Sequence, residues 1–106
     1  MSLHPSLSKL EEFRGQFPTL ANFLGAWFPD ADLEGLSDAE VAKAFVTTND
    51  VAATHTILSE GRILLDREEF PWREVGTEAN RSFVEPSEAR NWLIYILNII
   101  DNHIKI

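Results

Sequence analysis

Leu20, Phe23, Leu24, Trp27 and Phe28 recur at three- and four-residue intervals, the spacing that gathers side chains on one side of an α-helix. Pro18 fits the first turn of that helix, where a missing N–H costs nothing. Pro29 predicts its end, with "DADLEGL" as the connection that follows. Upstream, Ser8 stands three residues before Glu11, the spacing at which a serine hydroxyl and a glutamate carboxylate satisfy each other's free amides at a helix start. A first helix over about 8 to 16 follows, with Leu7, Leu10 and Phe13 on its apolar side; Gly15 and the coming Pro18 favour a break after it.

Ser37 and Glu40 repeat the capping-box spacing, and Val41, Ala44 and Phe45 give the next short helix one apolar face ending near "TTND". Asn49 is placed to cap another helix, running to roughly Asp66 with Val51, Ile57, Leu58, Leu64 and Leu65 as core. Gly61 weakens that helix by up to ~1 kcal/mol relative to alanine unless a neighbouring helix needs the close approach. Residues 67 to 85, "REEFPWREVGTEANRSFVE", contain Pro71 and Gly76 and no sustained helical period. They read as a long ordered loop pinned by Phe70, Trp72 and Phe83, with room for a short strand at "RSFVE". Pro86 opens the last helix, "PSEARNWLIYILNIIDNHIKI", in which Trp92, Leu93, Ile96, Leu97, Ile99 and Ile100 cover more than half the circumference and predict the most buried helix. The sum is an all-α, single-domain bundle of about four to five helices spanning residues 1–106, with one long ordered loop.

Size and charge narrow what such a bundle does. Its 106 residues suit one modest core. With 17 acids against 9 bases the net charge is -8, which repels nucleic-acid phosphates and anionic membranes. The absence of cysteine excludes disulfides and thiol chemistry and suits a reducing cytosol. "MSLHPSLSKLEEF" does not read as a secretory signal, and "WLIYILNII" is far short of the ~20 residues needed to span a bilayer. The expected location is the cytoplasm.

Asp30, Asp32, Glu34 and Gly35 reproduce the first half of an EF-hand calcium loop. The second half is missing: the twelfth position, where a bidentate glutamate is required, is Val41, and Glu40 is already placed to close a cap with Ser37. His4, His55 and His103 show no ligand spacing, and no nucleophile motif, phosphate loop or dinucleotide fingerprint occurs. The expectation is therefore a non-enzyme without metal or cofactor. Asp38 and Glu40 suit the positive start of a helix, whereas Asp30, Asp32 and Glu34 precede it without a nearby base in the sequence and mark a candidate partner-binding surface. "EEFPWRE" is a second candidate, with Glu68, Glu69 and Trp72, because an aromatic framed by charges is a typical interface anchor.

At "FPTLANFLGAWFPDADLEG", "DAEVAKAFV" and the later "SEARNWLIYIL" the chain resembles the small immunity proteins of bacterial contact-dependent growth inhibition systems, the CdiI proteins. The shared arrangement is a Phe-Pro start, "NFLG", the aromatic pair Trp27 and Phe28, acids before a second helix, and a closing helix with a tryptophan-leucine pair. The resemblance implies a protein that binds and neutralises the C-terminal toxin domain of a delivered CdiA protein, commonly a nuclease. A nuclease cleft is basic, so an acidic inhibitor can cover it and associate quickly by electrostatic steering. The alternative is a small acidic adaptor or regulatory subunit whose apolar stripe packs on a partner protein.

Overall fold

Residues 6–104 are described by the computed structural model as six helices: α1 (Leu7–Gln16), α2 (Pro18–Glu34), α3 (Asp38–Thr48), α4 (Val51–Leu65), α5 (Trp72–Ala79) and α6 (Pro86–Ile104). His4, and the end of the last predicted helix at Lys105 and Ile106, lie outside the described residues. The all-α architecture stands, with six helices rather than four to five, and no strand occurs among the described residues, at "RSFVE" or elsewhere. Among those residues no helix is long and apolar enough to cross a membrane.

Short polar side chains set the starts of α1, α3 and α4. Ser6, not Ser8, caps α1: its Oγ accepts from the amide of Lys9 at 3.3 Å. At α3 the capping box forms as the spacing predicts, Glu40 N donating to Ser37 Oγ (3.1 Å) and Ser37 N donating to Glu40 Oε1 (2.9 Å). Asp50 rather than Asn49 caps α4, accepting from Ala53 N at 2.8 Å, while Asn49 closes α3 by donating its side-chain amide to Phe45 O. Adjacent residues thus serve the end of one helix and the start of the next.

Two corrections matter for function. Pro29 does not stop α2, which continues through "DADLE" to an end at Gly35. Proline removes the bond to the carbonyl of Gly25, but Gly25 is solvent-exposed, and the extra turn buries Ala31 and places Asp32 beside a base. Gly35 adopts φ 72°, and the amide of Leu36 reaches back to Ala31 O at 3.1 Å, so the true stop is a left-handed glycine cap. The second correction is the long loop, which contains α5. That helix turns Val75, Gly76, Glu78 and Ala79 inward at helical spacing.

The buried side chains form a single cluster to which every helix contributes. Helix α2 packs on α1, α3, α4 and α5, and α6 on α3, α4 and α5, so the central position expected for α6 is shared with α2. Phe23 packs tilted against Phe45 with ring centroids 4.6 Å apart, and Phe28 meets Trp92 edge-on at 5.0 Å, joining α2 to α3 and α6. Gly61 answers a close approach: a Cβ there would lie 2.5 Å from Leu97 Cδ1. Phe70 and Phe83 pin the chain on either side of α5 as expected.

Candidate functional site

Because α2 is helical to Glu34, its acids are sorted by the helical period. Residues 30, 33 and 34 fall on one side and residue 32 on the other. Asp30, Leu33 and Glu34 are exposed, Leu33 at 88% of its full surface, and neither Asp30 nor Glu34 forms an ion pair among the described residues. The last turn of α2 holds no basic residue. Two carboxylates four apart repel, and both lie at the helix end where the backbone dipole disfavours negative charge.

Asp32 turns toward α5. Its Oδ2 accepts from Arg81 Nη1 at 2.9 Å and from Asn80 Nδ2 at 3.4 Å, so the base absent from its sequence neighbourhood comes from 49 residues away. A tight turn delivers that arginine. Asn80 ends α5 in the left-handed conformation (φ 57°), and Arg81 N donates to Gly76 O at 2.8 Å. Only glycine suits position 76, since a Cβ would stand 2.8 Å from the carbonyl oxygen of Arg81.

Arg81 is 18% exposed and lies over the Phe28 ring, its Nη2 donating to Asp38 Oδ1 at 2.5 Å. The second Asp38 oxygen accepts from Trp92 Nε1 at 2.7 Å. Burial would raise the Asp38 carboxyl, but the hydrogen bonds from Arg81 and Trp92 outweigh it and hold the group below the usual carboxylate range. Asp32, Arg81, Asp38 and Trp92 therefore form a structural network joining α2, α3, α6 and the turn after α5.

Glu68, Glu69 and Trp72 lie at the other end of α5. They border an open groove of about 1190 Å³ between α1, residues 67–71 and the starts of α5 and α6, together with Phe13, Phe70 and Pro71. Its bases, Lys9, Arg67, Arg73 and Arg90, match its acids, Glu12, Glu68, Glu69 and Glu74, so the whole net charge of -8 is carried outside it. Arginines lie over aromatic rings here: Arg73 over Trp72 at 4.5 Å, Arg67 over Phe17 at 5.0 Å and Arg90 over Phe70 at 5.9 Å. Burial pushes the Glu74 carboxyl above its ordinary range, and Arg73 and Lys9 offset this only in part.

The two surfaces expected from the sequence thus lie on different elements, one at the end of α2 and the other around the start of α5. Asp30 and Glu34 share one face and Glu68, Glu69 and Trp72 share the groove, while Asp32 belongs to the network between them. Sequence reasoning missed Leu33, the most exposed large apolar side chain among the described residues, and the groove arginines. Continuing the three- and four-residue spacing of α2 past Pro29 would have placed Leu33 beside Asp30 and Glu34. Among the described residues no group of three or more acidic or histidine side chains is arranged to hold a metal ion. Compared with known proteins, the chain matches no family model, no curated protein and no solved structure.

Proposed function

We propose that this protein is a non-catalytic immunity protein that neutralises a basic toxin domain, of the kind its sequence resemblance implies. One observation carries the reading: Asp30 and Glu34, with Leu33 between them, are held at the C-terminal end of a helix where their charges work against the fold. Residues that cost stability and return nothing within the chain are expected where a partner supplies the compensation. A basic cleft presenting Lys or Arg around an apolar pocket would take the two carboxylates at its rim and Leu33 at its centre, in the arrangement of a polar rim around a buried anchor. Asp32 acts indirectly, through Arg81, by fixing the last turns of α2.

The adaptor reading rests on Ile94 and Tyr95, adjacent exposed apolar and aromatic side chains on α6. A single experiment separates the two: the toxin domain encoded next to this protein is assayed with and without a stoichiometric excess of it. Loss of toxin activity, reversed by Asp30→Lys with Glu34→Lys and not by Tyr95→Ala, is the expected result. Unchanged toxin activity would remove the immunity reading.

A further inference from the structure

Arg67 and Arg90 have no acidic partner among the described residues, in a chain of 17 acids and 9 bases. Among the described residues neither enters an ion pair, although four glutamates border the same groove. Each guanidinium lies over a ring, Arg67 over Phe17 and Arg90 over Phe70. Stacking occupies the face of a guanidinium and leaves its in-plane N–H donors for a planar acceptor, which a carboxylate matches. Beside them stand Trp72 and Pro71, half-buried apolar surface suited to a large side chain.

A polyphosphate is a poor occupant. It would bring Glu12, Glu68, Glu69 and Glu74 against its backbone, within a protein already at -8. A peptide can place one carboxylate on the arginines and an apolar or basic residue against the remaining wall. We infer that this groove is a docking site for a protein segment carrying Asp or Glu beside a large apolar residue, with Arg67 and Arg90 taking the carboxylate and Trp72 the apolar side chain. The site stands apart from the toxin reading, which concerns the Asp30–Glu34 face and a basic partner.

The test uses the full chain as bait for a phage-displayed library of random linear peptides, followed by titration of the enriched peptides into isotope-labelled protein. Enriched sequences are expected to pair Asp or Glu with Leu, Phe or Trp, and to shift the indole N–H of Trp72 while leaving that of Trp92, bonded to Asp38, in place. Arg67→Gln and Arg90→Gln, taken singly and checked for an unchanged melting temperature, should each weaken binding at least about tenfold. So should Asp→Asn or Glu→Gln within the peptide, a change that leaves the protein untouched. An absence of enriched sequences, enrichment of purely basic ones, binding by both variants as tight as by the parent, or shifts confined to the Asp30–Glu34 face would each overturn the assignment. Loss of toxin neutralisation with peptide binding intact would leave this site standing and remove only the immunity reading.

Discussion

Arg81 is the side chain whose removal the fold should feel most among the charged residues. It is mostly buried, bridges two carboxylates and covers the Phe28 ring, so Arg81→Ala leaves Asp38 half-buried with only the Trp92 indole as partner. Stability should fall by about 2 kcal/mol, measured as the shift of the urea midpoint at constant slope. The same pair sets a pH dependence. The folded Asp38 carboxyl is held below its unfolded value, so its contribution is complete above the unfolded pKa and is lost as pH falls through the folded one. Arg81→Ala should lack that part of the acid sensitivity. Glu74 behaves oppositely: burial raises its folded pKa, so the ionised group opposes folding at neutral pH and the opposition is relieved as pH drops through the folded value toward the unfolded one. Glu74→Gln is expected to be more stable than the parent at neutral pH, with the difference closing in acid; a constant difference across the titration would contradict this origin.

At the scale of elements, α2 starts without a side-chain cap of its own, because its N-cap position is Phe17. Glu60 of α4 provides one from outside, accepting from Leu20 N at 2.8 Å and placing a carboxylate at the positive helix end. Glu60→Ala should cost about 1 kcal/mol and disturb α2 rather than α4, visible as faster amide exchange at residues 19–21. Gly61→Ala, next along α4, gains up to ~1 kcal/mol of helix propensity but sets a methyl against the buried Leu97, where overpacking costs about 1–3 kcal/mol. A net loss of stability is expected, recovered when Leu97 is shortened to Val. Such elements differ in how far the sequence foretells them. The Ser37–Glu40 box and the Pro86 start are local devices, complete within a few residues, and both form where the spacing places them. Pro29 and the 72–79 helix are not local. Pro29 is tolerated because Ala31 is buried and Arg81 meets Asp32, and α5 is held by Val75, Gly76 and Ala79 with Glu78 neutralised by Arg14 at 2.8 Å, 64 residues away. The helix has an apolar face, but at eight residues, starting directly after Pro71, it is too short for that spacing to stand out from the loop around it in the sequence.

Across the whole molecule the charge is unevenly divided: the groove around Trp72 is balanced, and the excess of acid lies elsewhere, including the exposed end of α2. That division was only half legible, since the acids are visible in the sequence but their pairing depends on which side of a helix each occupies. It also splits three residues that look alike into two kinds. Asp30 and Glu34 have no ion-pair partner among the described residues and sit against the helix dipole, whereas Asp32 holds Arg81. Reversing the first two, Asp30→Lys with Glu34→Lys, should therefore stabilise the free protein by about 0.3–1 kcal/mol per site, because a cation suits that helix end. Asp32→Asn should instead lower the melting temperature. Binding to a basic partner should respond in the reverse sense: the stabilised double variant associates more slowly and with a flatter dependence on ionic strength, while Asp32→Asn, where still folded, keeps most of the parent's salt dependence. Stopped-flow association at several salt concentrations, beside urea titrations of the free variants, reads both quantities on the same samples. A double variant that is less stable than the parent, or that associates at the parent rate at low salt, would show that the end of α2 was shaped by something other than a basic partner.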